Sequence, residues 1–194
     1  TGECIDGIFL QQIKDYAATI TQDTVLVLHQ IGSHGPTYSL RYPPEFEKFT
    51  PACRTAEFKD CTPQEITNAY NNTIAYTDAV LAETIAFLQS QDNLDTALLY
   101  VSDHGESLGE NGLYLHGSPY FMAPEHQTRV PMILWMSDSF QKRFALDHTC
   151  LVDQTARTLS HDNLFHSLLG MLDIQTAERD SELDIFATCK TSRK

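Results

Sequence analysis

Two apolar runs, each opening into a loop dense in histidine, acid and glycine, constrain this chain more than any other feature. TVLVLHQIG at residues 24–32 is a continuous β-branched and leucine run ending in glycine, and TALLYVS at 96–102 is a second. Apolar runs of this length without alternation suit strands buried on both faces, as in parallel sheets. Between them, Thr62-Pro63-Gln64-Glu65 reads as a capping box with proline at the first helical position. Ile66, Tyr70, Thr73, Thr77, Leu81, Ile85 and Leu88 then recur at helical spacing, so a helix is expected to run to about Gln89. Strand, long helix, strand predicts a right-handed parallel crossover, which places the chain in the α/β class. VPMILWM at 130–136 is expected as a third strand.

The rest of the chain supports one domain, or part of one. Ile5, Phe9, Ile13 and Tyr16 predict an amphipathic helix over residues 5–19, and SHGPTYSLRYPPEF at 33–46, with three prolines, predicts a loop. Asp162 is the expected N-cap of a helix through Leu169, and Leu183, Ile185 and Phe186 form an apolar cluster in the tail. The chain has no repeat, no low-complexity stretch and no linker.

Thirteen Lys and Arg against 26 Asp and Glu leave a net charge of −13. That balance argues against nonspecific nucleic-acid binding, which needs basic residues to displace counterions, and no nucleic-acid partner is expected. It equally disfavours recruitment to anionic lipid by charge. No apolar run approaches the roughly 20 residues that span a bilayer. The chain begins with Thr1 rather than Met, as expected of a processed product or a fragment.

Five cysteines bear on the compartment. Cys53 and Cys61 flank a short polar stretch with no C-x-x-C zinc spacing, and read either as a small disulfide loop or as two free thiols. Cys150 and Cys189 are candidates for a second bridge. Cys4 is then left over, and in an oxidising compartment its partner is expected in sequence outside these 194 residues.

The chemistry-bearing residues gather after the expected strands, the sheet edge at which open α/β folds bind ligands. His29, Ser33 and His34 follow the first; Asp103, His104, Glu106, Glu110 and His116 follow the second. Asp and His are ligands that zinc accepts. Plainer readings exist for each: Asp103 as a turn cap, His104 as a buried structural histidine, Glu106 and Glu110 as a solvated face. His29 is read as structural, and His126, His148 and His166 as surface residues.

HQIGSHGPTY (29–38), RYPPEFEKFTPAC (41–53) and YVSDHGESLGENGLYLHG (100–117), with VPMILWMS and SHDNLF further on, resemble the lipid A phosphoethanolamine transferases, including the mobilised colistin-resistance group. The resemblance covers essentially the whole chain and implies an α/β/α sandwich with a mainly parallel central sheet, of the alkaline phosphatase/sulfatase type. It implies a Zn2+ cofactor with Asp103 and His104 as two of four ligands. His34 and His116 match positions that bind the phosphoethanolamine group or a second zinc, with Glu106 in support. Cys53–Cys61 matches a family disulfide, and Cys4 matches half of another.

The implied reaction moves phosphoethanolamine from phosphatidylethanolamine to lipid A through a zinc-activated threonine, and confers polymyxin resistance. No threonine here sits in the family's nucleophile motif, so no catalytic nucleophile is assigned within the chain. Residues 1–194 are expected to be the C-terminal part of a soluble periplasmic domain. The remainder of that domain, with the nucleophile and one further ligand, and a transmembrane domain at the bacterial inner membrane are expected upstream. Two other readings stand beside this one: another superfamily member, such as a phosphoglycerol transferase or a sulfatase, and a non-catalytic metal-binding fragment.

Overall fold

In the computed structural model, which describes residues 4–191, the capping box forms as the sequence requires. The Glu65 carboxylate accepts from the Thr62 backbone N–H at 2.7 Å and from its hydroxyl at 2.8 Å, while Thr62 Oγ1 accepts from the Glu65 N–H at 3.3 Å. These bonds, the backbone N–H foremost, hold the Glu65 carboxyl below its ordinary pKa. They start the long helix Pro63–Gln89, which we number α2 after α1 at Ile8–Ala17.

Two units build the chain: residues 4–88 with 104–132, and residues 89–103 with 133–191. In the first, α2 buries Ile66, Ala69, Thr73, Tyr76, Val80 and Thr84 along one face. Of the expected stripe Ile66, Thr73 and Thr77 are buried, whereas Tyr70, Leu81, Ile85 and Leu88 are only half-buried. Aromatic loop residues decide which positions are covered. Tyr38 packs with Cys53, Ile66 and Ala69, and Tyr42 packs with Tyr76 and Val80. Asn68 and Asn72 are buried on the same face. The Asn72 side-chain oxygen accepts from the Lys48 and Phe49 amides at 2.9 and 2.8 Å, and its nitrogen donates to the Phe49 carbonyl and the Tyr42 hydroxyl. Every polar atom of a buried amide is thereby used, and the 33–61 loop is tied to the helix.

The run at 24–32 departs most from expectation. It is not a strand, and Val25, Leu26 and Val27 are 60%, 45% and 83% exposed. Among the described residues no strand pairs with it, so it lacks the ladder that would define a strand and the faces that would bury it. His29, read as structural at a buried strand end, is exposed. The expected parallel crossover is therefore not formed.

What forms instead are two small sheets. Strand β1 (Ala97–Val101), half-buried along its length, joins β4 (Met132–Met136) in the second unit. In the first unit β2 (Ser107–Leu108) and β3 (Tyr114–Leu115) form an antiparallel hairpin inside the stretch expected as plain loop. A one-turn helix, α3 (Glu125–Thr128), follows.

The second unit continues with α4 (Asp138–Arg143), α5 (His148–Gln154) and α6 (Asp162–Met171). Ser137 and Asp147 cap α4 and α5 by accepting from Phe140 N and Cys150 N. Asp162 is the first residue of α6 rather than its cap; Ser160 Oγ accepts its N–H at 3.2 Å. Phe140, Leu151, Met171, Ile185 and Phe186 are buried here, and a disulfide between Cys150 and Cys189 ties α5 to the tail. Cys53 and Cys61 are bonded as well, and Cys4 is a free, exposed thiol. No helix among the described residues is long and apolar enough to cross a membrane.

Candidate metal centre

The hairpin is what assembles the site. Its register pairs Ser107 with Leu115 and Leu108 with Tyr114, so the next positions outward, Glu106 and His116, stand opposite each other. The intervening turn needs left-handed backbone at Gly109 (φ 121°) and Gly112 (φ 77°), which glycine supplies without a Cβ penalty. Glu110, a candidate from its sequence position, accepts from the Leu108 N–H at 2.7 Å and so builds the turn.

Glu106 is buried and collects three donors. Its oxygens accept from the Gly35 N–H at 3.2 Å, from the Tyr38 hydroxyl at 3.2 Å and from His116 Nδ1 at 3.1 Å. One carboxylate thus joins the 33–38 loop to the hairpin. Burial first, and then the neighbouring Glu106 charge, push the Tyr38 phenol far above its ordinary pKa, so Tyr38 is a fixed donor. At Gly35 an added methyl group would press on the Leu115 side chain and the Tyr38 hydroxyl, so any larger residue there would disturb both.

Three imidazoles converge beside this carboxylate. The His104 and His116 rings stack with centroids 3.9 Å apart, His34 lies 4.8 Å from His116, and His34 lies 5.9 Å from His104. Each uses Nδ1 toward an acceptor: the Gly35 carbonyl at 2.7 Å for His34, the Gly105 carbonyl at 3.0 Å for His104, and Glu106 for His116. That pattern sets the Nδ1–H tautomer in all three and places the lone pair on Nε2. The His34 carbonyl in turn accepts from Arg41 Nε at 2.9 Å.

This donor set fits a transition metal. One ligand atom from each ring falls within 4.8 Å of the others. Three histidines with an open fourth position are a known catalytic zinc shell, and a ligand histidine backed by a carboxylate is its usual support. Zinc bonds of about 2.0–2.1 Å would set tetrahedral nitrogens roughly 3.4 Å apart, so a bound ion would draw the rings together by up to about 1.4 Å.

The sequence reading divided these residues between Asp103 with His104 and His34 with His116. The structure groups His104 with His34 and His116. Asp103 is exposed and belongs to the second unit. There, His161 Nε2 meets the Ser102 carbonyl at 2.8 Å, which anchors the segment ending at Asp103. His161 was not singled out as a candidate, although it lies in the SHDNLF string that carries the family resemblance. His126 and His148 are exposed as expected; His166 is half-buried, its Nδ1 accepting from the Asp180 N–H at 2.9 Å.

A histidine cluster backed by a buried carboxylate at loop ends defines a class of candidate metal centre, and comparison with known proteins gives the chain a family. Residues 1–174 match the model described as Sulfatase, and the chain belongs to the sulfatase family. Within it, the chain is similar to phosphoethanolamine transferase EptA of Escherichia coli (strain K12), 48% identical over 191 residues that cover 97% of this chain and 35% of that protein. Phosphatidylethanolamine transferase Mcr-1 of Escherichia coli is 40% identical over 186 residues, 95% of this chain and 33% of that one. The crystal structure of the soluble domain of lipooligosaccharide phosphoethanolamine transferase A from Neisseria meningitidis matches with a TM-score of 0.94 at 42% identity, covering 99% of this chain and 58% of that one. That likeness gives the sulfatase-type fold, which the two short sheets alone do not display. The chain spans about a third of the length of the curated relatives it matches.

Proposed function

We propose that this chain is the C-terminal part of the catalytic domain of a phosphoethanolamine transferase that takes its group from phosphatidylethanolamine and delivers it to lipid A. The observation that carries the reading is the cluster of His34, His104 and His116 organised by one buried carboxylate, in a chain similar throughout to enzymes named as phosphoethanolamine and phosphatidylethanolamine transferases.

Each residue has a task that its chemistry suits. His34 and His116 hold the oxygens of the phosphoryl group as charge spreads over them. Glu106 fixes the His116 ring and tautomer, and Tyr38 and the Gly35 amide hold Glu106. Asp103 and His104 are assigned to a zinc ion, with His34 and His116 within reach of the same or a second ion. Bound zinc supplies Lewis acidity that lowers the pKa of a coordinated hydroxyl and balances phosphoryl charge. The nucleophile is assigned to a threonine outside these 194 residues.

Two disulfides support an oxidising compartment, here the periplasmic face of the inner membrane. The amine added to lipid A weakens its attraction for cationic polymyxins, so resistance is the expected phenotype. The test is mass spectrometry of lipid A from cells making the full-length protein or its His34→Ala and His116→Ala variants. Phosphoethanolamine addition should be present with the parent and fall at least about tenfold in both variants, since each loses a group contacting the transferred phosphoryl. Unchanged lipid A modification in folded variants of both would defeat the assignment.

A further inference from the structure

We propose that the turn bearing Tyr120, Phe121 and Met122 is a membrane-contact tip that seats the histidine cluster against a phospholipid surface. These three consecutive side chains are 87%, 85% and 65% exposed, Tyr120 and Phe121 more so than any other large apolar residue described. They project from a tight turn in which the Met122 and Ala123 amides both donate to the Pro119 carbonyl, at 2.8 and 2.9 Å. From Gly117 to Pro124 there is no charged residue.

The base of the turn is clamped to the candidate site. Gln127 is buried; its side-chain oxygen accepts from the Ser118 N–H at 3.3 Å and its nitrogen donates to Ser107 Oγ at 2.9 Å. Its backbone carbonyl accepts from the Gly105 N–H at 2.9 Å. Gly105 and Ser107 are the residues on either side of Glu106, and His116 begins the excursion. A surface that holds the tip therefore holds the cluster at a fixed height.

Three observations favour lipid over a protein partner. Phe and Tyr bury about 150–250 Å² each, so three side chains of this size offer about 750 Å² at most, below the roughly 800 Å² per partner of a stable protein interface. An aromatic pair with a phenol hydroxyl is the composition that settles at the bilayer–water boundary. The net charge of −13 makes electrostatic recruitment unfavourable, which leaves apolar insertion as the attractive term.

The inference rests on the proposed lipid substrates, and its test separates the two. A photoreactive phenylalanine analogue in place of Phe121, in the full-length protein in bacterial membranes, should form a phospholipid adduct on the peptide containing residue 121. Tyr120→Ser/Phe121→Ser/Met122→Ser should lower transfer from bilayer phosphatidylethanolamine at least about tenfold, the partition lost with such side chains. The same variant should leave transfer from a short-chain, water-soluble phosphoethanolamine ester unchanged. A crosslink to protein, no crosslink at all, or equal loss with both substrates overturns the membrane-contact tip. A lipid adduct on a protein that transfers nothing leaves the tip standing and overturns the transferase reading.

Discussion

Glu106 Oε1 and His116 Nδ1 stand 3.1 Å apart across the first unpaired position of the β2–β3 hairpin, one buried side chain against one partly exposed. The pairing follows from register, since a two-residue ladder fixes which side chains come next on its face. The carboxylate also accepts from Gly35 and Tyr38, with Gly35 and His116 sharing Oε1 and Tyr38 on Oε2.

Glu106→Gln is accordingly not conservative. With its oxygen in the Oε1 place it keeps the Gly35 and His116 donors, but its NH2 replaces the acceptor of the Tyr38 hydroxyl and the negative charge behind the His116 ring is lost. Zinc affinity, measured by competition with a chelating dye, is expected to fall about 10–100-fold while far-ultraviolet circular dichroism is unchanged. Parent-like affinity would remove Glu106 from the metal support.

Tyr38 predicts an alkaline limit to stability. Its folded-state pKa lies far above the ordinary 10.0, through burial first and the Glu106 charge second. Above about pH 10 the unfolded chain releases this proton while the folded chain keeps it, so stability present below that pH falls as pH rises. Tyr38→Phe should lose about 1–3 kcal/mol at pH 7, because Glu106 loses a buried donor, and should show a flatter decline above pH 10. Urea titrations of both proteins from pH 7 to pH 11 give the comparison; parallel slopes above pH 10 would contradict it.

The two disulfides close loops of different length, with sequence separations of 8 and 39. Loop entropy then gives about 2.5 kcal/mol for Cys53–Cys61 and about 4 kcal/mol for Cys150–Cys189. Paired serine variants should lose stability in that order in urea denaturation. The reverse order would mean that packing of the buried Cys53, rather than chain entropy, dominates.

What the sequence made legible was local. The Thr62–Glu65 box, α2 to Gln89 and the apolar runs at β1 and β4 depend on near neighbours, and they appear as read. The run at 24–32 was misread because apolarity reports a wish for burial, whereas strand formation needs a paired neighbour. The stripe held at Ile66, Thr73 and Thr77 but gave way further on to Tyr76 and Val80, which pack with Tyr42 from a loop that no helical periodicity contains. His34, Glu106 and His116 were legible as candidates by their place in two loops. Their place near His104 was expected too; that the three rings form one cluster was not, since it depends on a hairpin of two paired residues per strand. Asn72 and Gln127 were missed because a buried amide looks in sequence like any surface polar residue.

Asp6 is a further residue of that kind, and it acts on the 33–38 loop from a distance. Its buried carboxylate accepts from the Ile31 and Gly32 amides, both at 2.9 Å, two residues ahead of His34. The Gly7 N–H beside it donates to the Tyr76 hydroxyl, so this end of α1 is itself fixed to α2. Asp6→Asn keeps one acceptor oxygen and turns an N–H toward the other amide, leaving a donor unmet at a cost of about 1–3 kcal/mol. Because the loss falls on the approach to His34, the expected result is local opening rather than global unfolding. Hydrogen exchange followed by mass spectrometry should show faster exchange in peptides spanning 29–36 and unchanged protection around Ile66 and Ala69 in α2. Equal acceleration in both would mean that Asp6 supports the core of the unit and not the loop, and unchanged exchange in 29–36 would remove it from the positioning of His34.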